Sequence, residues 1–217
     1  MRPLRLALPI AAVAALALAA PAGAATTRTP TPGAEISAYY DSGGWSDDIA
    51  AVVKRASTAL RRDLAARKAP RRAMIVLDID ETSLFNAPCF EPVDWDLSGL
   101  ATCAVQSGGV ATPVVRLYNL ARRKHVTVAF ITGRPDAIAS VTKQNLRDQG
   151  FDRGYKLVLK PASYTQDSLV PYKSGARATF ERQGYTILEN VGDQQSDLAG
   201  GHARHRYKLP NPVYVTT

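Results

Sequence analysis

The sequence predicts an α/β protein with a mainly parallel sheet covered by helices on both faces. Three observations carry that prediction. Short apolar runs alternate with amphipathic stretches of helical period through the last hundred residues. The apolar runs are nearly continuous, as in strands buried on both faces. Proline and glycine fall where helices should begin and end. In such sheets a ligand site lies at the carboxyl ends of the strands.

The first helix follows Ser46, a predicted cap, with Asp47 and Asp48 suited to its positive end. Ile49, Val52, Val53, Ala56, Leu60 and Leu64 share one face, while Lys54, Arg55, Arg61 and Arg62 lie on the other. Pro70 stops the pattern, and "MIVLDIDETSL" (74–84) begins a strand that runs into three acids, Asp78, Asp80 and Glu81. Asp78 and Asp80 are spaced i, i+2, on one side of an extended backbone, where they repel each other. A divalent cation would relieve that repulsion. Glu81 is expected to point to the other side of the strand, as a bystander.

An irregular piece, 85–112, comes next and is expected to be a lid over the strand ends. It contains Phe85, Phe90 and Trp95, which either stack on a flat leaving group such as a nucleobase or pack the lid itself. The alternation then becomes regular. A helix is expected over 113–124, a strand over 126–131, and a helix from Pro135 to Gly150. A strand over 155–159, a helix over 172–183 and a strand over 185–191 follow. The closing "RYKLPNPVYV" reads as an edge strand and tail, because its prolines exclude a central position.

The N-terminus reads as a signal peptide over 1–24, with Arg2 and Arg5 before an uncharged Ala/Leu run and a small-residue cleavage pattern. That run is too short for a membrane span, so no stable membrane anchor is expected and the chain should be secreted. Residues 25–45 read as a flexible leader and 46–217 as a single domain. Losing Arg2 and Arg5 takes the 27 basic residues to 25 against 19 acidic ones, and the net charge from +8 to +6. A modest basic excess favours anionic partners. The basic residues are scattered and lack interleaved aromatics, so specific nucleic-acid binding is not expected. Cys89 and Cys103 are the two cysteines, and an exported pair without a metal-ligand pattern reads as a disulfide. Such a bridge contributes about 3 kcal/mol in the chain-entropy treatment. Two buried free thiols are the alternative.

Polar residues gather at the predicted strand ends. Asp78 and Asp80 follow the first strand, Thr132, Gly133 and Arg134 the second, and Asp193, Ser196 and Asp197 the fourth. Lys173 opens the helix leading to that fourth strand. Together they supply what phosphoryl transfer through a carboxylate needs: a nucleophile, a proton shuttle, a metal site and donors for phosphoryl oxygens.

In that order, "VLDIDETSL", "AFITGRP", "PYKSGAR" and "NVGDQQSDL" resemble the four motifs of the haloacid dehalogenase (HAD) superfamily. "GDQQSDL" and "YKLPNPVY" resemble its subfamily IIIB acid phosphatases, which include bacterial class B acid phosphatases and plant vegetative storage proteins. The resemblance covers about 49–214 and is weakest over 85–112. It implies a three-layer, Rossmann-like fold with a small lid after the first core strand.

The resemblance also implies roles. Asp78 attacks phosphorus, and Asp80 protonates the leaving oxygen and then activates water. Asp78, the Asp80 carbonyl and Asp193 hold Mg²⁺, with Asp197 in support. Thr132 and Gly133 hold the phosphoryl oxygens, Lys173 neutralises developing charge, and Arg134 assists. Lys160, just after the third strand, competes with Lys173 for that role. The substrate implied is a small phosphomonoester, with nucleotides among the options. A phosphotransferase and a silent storage or binding protein are the rival functions.

Overall fold

The computed structural model describes residues 25–29, 31–67, 69–107, 109–152 and 154–216. The expected signal peptide, 1–24, lies outside these residues. The core is a five-stranded parallel sheet in the order β6-β5-β2-β7-β8. Its strands are β2 (Ala73–Leu77), β5 (Thr127–Pro135), β6 (Tyr155–Lys160), β7 (Thr186–Gly192) and β8 (His205–Lys208). β2, the strand that leads into Asp78, is central.

Period-two alternation along β2 explains the two-sided burial. Ile75 and Leu77 pack with Val128, Phe130 and Leu188 against Val53, Leu60, Leu117 and Tyr118 of two helices, α2 (Gly44–Ala65) and α5 (Val114–Arg123). Met74 and Val76 face the opposite way and meet Ala129, Ile131, Ile187 and Phe180 of α7 (Val170–Arg182). The third layer is therefore present, as the apolar continuity of the strands required. Gly150 and Gly184 adopt φ of 85° and 83° just past α6 (Ala139–Asp148) and α7, where a helix ends in a left-handed residue.

Several boundaries differ from expectation. α2 begins at Gly44 with left-handed Gly43 (φ 78°) at its cap, so Ser46 lies inside the first turn. β5 continues through Thr132, Gly133 and Arg134 to Pro135, past the expected end at 131. The stretch expected to be a flexible leader is ordered where described. β1 (Thr26–Arg28) pairs antiparallel with β9 (Tyr214–Thr216), and α1 (Gly33–Asp41) buries Ile36. The buried neighbours Phe90, Trp95 and Val213 supply the apolar contacts that the local Thr/Pro composition does not suggest.

The lid is compact and made of short pieces. β3 (Leu84–Phe85) and β4 (Val110–Ala111) pair antiparallel at its base, with α3 (Ala87–Phe90) and α4 (Ser98–Thr102) between them. Cys89 and Cys103 form a disulfide across it, with Cα atoms 5.5 Å apart. The lid aromatics pack inward. Phe85 lies 4.6 Å from Trp45 and 4.9 Å from Tyr40, and Tyr40 stacks on Trp95 at 5.2 Å. The Trp95 indole N–H donates to Ser37 Oγ at 3.1 Å. A cavity of about 150 Å³ remains among Tyr40, Phe85, Trp95, Asp41 and Glu91. Among the described residues no helix is long and apolar enough to cross a membrane.

One buried carboxylate stands apart. A register shift between β2 and β7 pairs Ile75 with Glu189 and leaves Leu188 as the extra residue. Glu189 is 0% exposed, and among the described residues neither oxygen has a hydrogen bond of normal geometry. Burial and the nearby negative charge of Asp63 push its pKa up to about 8, against the lowering influence of Tyr207 and Arg62. Folded Glu189 thus keeps a proton that the unfolded chain loses near pH 4.5. Its contribution to stability is present below that pH and is lost as pH climbs towards 8. Glu189→Gln should remove this dependence. In melting curves from pH 5 to pH 8, the Tm advantage of the variant over wild type should widen with pH by about 3 °C or more. A gap that does not change with pH would show that Glu189 is not the group responsible.

Candidate active site

Asp78 follows β2 directly, and its backbone N–H continues the sheet to the Val191 carbonyl at 3.0 Å. Its carboxylate accepts from Lys173 Nζ at 2.9 Å, and Lys173 also pairs with Asp197. Asp78, Asp193 and Asp197 are all buried and offer carboxylate oxygens within 4.8 Å of one another. Burial and the charge of Asp197 push Asp78 well above the usual carboxylate range, with Asp193 and Asp80 adding to the rise and Lys173 opposing it. Asp193 is pushed up to about 6 by burial and Asp197, against hydrogen bonds from Asn211, Gln194 and Thr82. Lys173 is held above its ordinary value: burial lowers it, but Asp197 and Asp78 outweigh that.

Lys173, and not Lys160, therefore reaches Asp78. The next turn of α7 brings Arg177, 1% exposed, beneath the same loop. Its guanidinium donates to the Asp197 carbonyl at 2.6 Å, the Gly201 carbonyl at 2.9 Å and the Ala199 carbonyl. Asn190 Nδ2 donates to the Asp197 carbonyl as well, at 2.8 Å. The Asp197 carboxylate is engaged on both oxygens, by Lys173 and by the Gln194 N–H at 2.7 Å. Gly192 makes this turn possible, because a Cβ there would collide with the Asp197 side chain.

Asp80 takes a different partner from Asp78, although its charge still adds to the rise at Asp78. β2 ends at Leu77, and the chain turns through Glu81, whose φ is 52°. The strand does not continue through the pair, but the repulsion expected between Asp78 and Asp80 remains. Asp80 accepts from Arg134 Nη2 at 2.7 Å and Nε at 3.0 Å, and from Asn86 Nδ2 at 3.0 Å. Burial raises the Asp80 pKa, but the charge and hydrogen bonds of Arg134 outweigh it and hold the group below its usual range. Arg134 Nη1 is buried and finds no hydrogen-bond partner among the described residues. Thr132, 1% exposed, accepts the Arg134 N–H on Oγ1 at 3.1 Å, and its carbonyl accepts from Tyr172. Gly133 sits beside Leu169, near enough that a Cβ would meet Leu169 Cδ1 at 3.2 Å.

Glu81 is not a bystander. Its side chain is 0% exposed and accepts from Asn86 N–H at 2.9 Å, Asn86 Nδ2 at 3.1 Å and Tyr214 O–H at 3.0 Å. Burial and the charges of Asp80 and Asp193 push it up to about 8, against the Asn86 hydrogen bonds. The left-handed turn at Glu81 abandons strand alternation. Sequence reasoning also missed Thr82, Gln194 and Asn211, whose side chains all donate to Asp193. Thr82 and Gln194 lie inside quoted motifs. The i, i+4 spacing of Lys173 and Arg177 was the available signal for the latter.

The donor set fits a divalent cation. Three buried carboxylates face one another with Lys173 among them, and burial together with neighbouring negative charge raises the proton affinities of Asp78 and Asp193.

Known proteins place this site in context. Acid phosphatase 1 of Solanum lycopersicum is 32% identical over 157 residues, spanning 66% of this chain and 59% of that protein. The stem 28 kDa glycoprotein of Glycine max is 36% identical over 148 residues, covering 64% of this chain and 58% of its own length. Vegetative storage protein 1 of Arabidopsis thaliana is 30% identical over 146 residues, with 64% and 54% covered. The chain thus spans somewhat over half the length of these relatives. Among solved structures, the class C acid phosphatase from Bacillus anthracis superposes with a TM-score of 0.65, over 84% of this chain and 85% of that one. At 19% identity that likeness speaks for the fold alone. Residues 9–217 match the family described as HAD superfamily, subfamily IIIB (acid phosphatase), and the chain belongs to it.

Proposed function

We propose that this protein is an exported, Mg²⁺-dependent acid phosphatase that hydrolyses small phosphomonoesters through an aspartyl-phosphate on Asp78. The observation that carries the reading is the convergence of Asp78, Asp193 and Asp197 around Lys173 at the carboxyl end of the central strand. Membership of the acid phosphatase subfamily supports the same chemistry. The Cys89–Cys103 disulfide supports an oxidising compartment, and hence export.

In the first step an Asp78 oxygen attacks phosphorus in line and the bond to the ester oxygen breaks. The departing oxygen takes a proton from Asp80. Water then attacks the same phosphorus and gives its proton to the Asp80 carboxylate. The bond to Asp78 breaks and inorganic phosphate leaves. Arg134 favours the ionised Asp80 needed in this second step, while acidic solution supplies the proton needed in the first. Lys173 stays beside the Asp78 carboxylate and offsets charge accumulating on the phosphoryl oxygens. The unpartnered Arg134 Nη1 and the Gly133 amide are the donors best suited to those oxygens. Asp78 and Asp193 would hold Mg²⁺, with Asp197 in support because both of its oxygens are engaged. When bound, the ion supplies the positive charge that lets a phosphate dianion approach clustered carboxylates.

The relatives named vegetative storage proteins favour a second reading, a protein reserve without turnover. The presence of Asp78, Lys173 and Asp193 together counts against it.

Two experiments test the proposal. Asp78→Asn should lower hydrolysis of an aryl phosphate by more than about 10³-fold, and excess EDTA should silence the wild type. Near-wild-type turnover in the variant would overturn the mechanism, and no turnover in the wild type would favour the storage reading. Lys173→Met should lower kcat by about 10²-fold while Lys160→Met leaves it within about twofold. The reverse ranking would move the charge-neutralising role to Lys160.

A further inference from the structure

The tail after β8 was expected to do no more than finish the sheet. Its hydrogen bonds say otherwise. We propose that it positions the acidic centre, with Asn211 acting directly on Asp193 and Tyr214 acting on Asp80 through Glu81 and Asn86. This inference rests on the phosphatase reading and extends it to residues outside the four motifs.

Asn211 lies between Pro210 and Pro212, which restrict the backbone on either side. Its Oδ1 accepts the N–H groups of Val213 at 2.8 Å and Tyr214 at 3.2 Å. Both partners are obligate donors, so the oxygen must face them and the Nδ2 donor must face the other way. There it meets Asp193 Oδ2 at 2.8 Å. The turn therefore aims a donor at the carboxylate. Gln194 ties the same two parts together. Its Nε2 donates to Asp193 Oδ2 at 2.5 Å and to the Tyr214 carbonyl at 3.3 Å, and its Oε1 accepts the Thr216 N–H at 2.8 Å.

The second connection runs through Tyr214, which is 4% exposed. Its O–H donates to Glu81 Oε2 at 3.0 Å. Glu81 receives both N–H donors of Asn86, and Asn86 Nδ2 also reaches Asp80 Oδ1 at 3.0 Å. Asp80 is thus held on one side by Arg134 and on the other by an amide whose orientation the tail helps to set. The tail itself is anchored independently of these groups. Leu209 N–H donates to the Gly192 carbonyl at 2.9 Å, Trp45 donates to the Pro210 carbonyl at 2.9 Å, and β9 pairs with β1. Val213 and the Tyr214 ring pack with Ile36, Phe90 and Trp95. Packing alone would need the apolar surfaces of this tail. It would not need an amide and a hydroxyl delivered to buried carboxylates.

Asn211→Ser and Tyr214→Phe test the two connections in the full-length chain. Serine keeps an acceptor for the residue two positions on but cannot reach Asp193. Phenylalanine keeps the ring and loses only the hydroxyl. Mg²⁺ binding is measured by calorimetry without substrate, kcat and KM with an aryl phosphate, and melting in EDTA. Asn211→Ser should weaken Mg²⁺ binding about tenfold, and Tyr214→Phe should lower kcat about tenfold with KM and Mg²⁺ affinity unchanged. An unchanged Mg²⁺ Kd in the first variant overturns the direct connection, and an unchanged kcat in the second overturns the relay. A large fall in melting temperature without either change marks the tail as a structural strap and also overturns the proposal. A wild type that neither binds Mg²⁺ nor hydrolyses phosphate overturns the phosphatase reading as well. Active wild type with unaltered variants overturns this inference alone.

Discussion

Asp78, Asp80, Glu81, Asp193 and Asp197 are gathered in one largely buried region with Lys173 and Arg134 as their direct ion-pair partners. Ionised groups removed from water are stable only when paired or fully hydrogen-bonded. Much of the surrounding structure answers that demand. Neutral donors arrive from the turn after β2, from the start of the lid, from the loop after β7 and from the tail: Thr82, Asn86, Gln194, Asn211 and Tyr214. Burial and the neighbouring negative charges show in the raised proton affinities of Asp78, Asp193 and Glu81.

The sheet order turns this constraint into a division of labour. Central β2 has β5 on one side and β7 on the other, so Asp78 lies between the Thr132 and Asp193 segments by topology alone. α7 delivers Lys173 to Asp78 and, one turn later, fastens the Asp197 loop with Arg177. The two aspartates of the first motif take different partners. Asp78 joins the lysine-centred cluster, and Asp80 is paired with Arg134 from β5. A nucleophile and a proton carrier need different environments, and Lys173 and Arg134 provide them.

The edges of the site depend on segments distant in sequence. α1 and the start of α2 stack Tyr40 and Trp45 against Phe85, while Trp95 covers Tyr40 from the lid. β1 holds β9, and through β9 the tail. The disulfide limits the conformations open to the irregular lid residues. The lid aromatics that sequence left undecided between substrate and packing are committed largely to packing, since Phe90 and Trp95 are almost fully buried.

Much of this was legible without coordinates. Apolar runs such as 74–77 and 127–131 must be buried on both faces, and that forces a parallel sheet with covering helices. The motif acids and Lys173 stand at strand or helix ends, where parallel topology gathers them. The cysteine pair also spoke for itself. Partner choice was not legible, because it depends on where the backbone departs from regular geometry. The φ of Glu81 reversed the expectation for that residue, and distant partners gave Asp78 to Lys173 and Asp80 to Arg134. The bulge at Leu188 turned Glu189 into the core, and contacts across the chain ordered the supposed leader. Periodicity determines which face a residue takes while an element lasts. Only the packed tertiary structure decides where the element stops and which distant group meets the side chain beyond it.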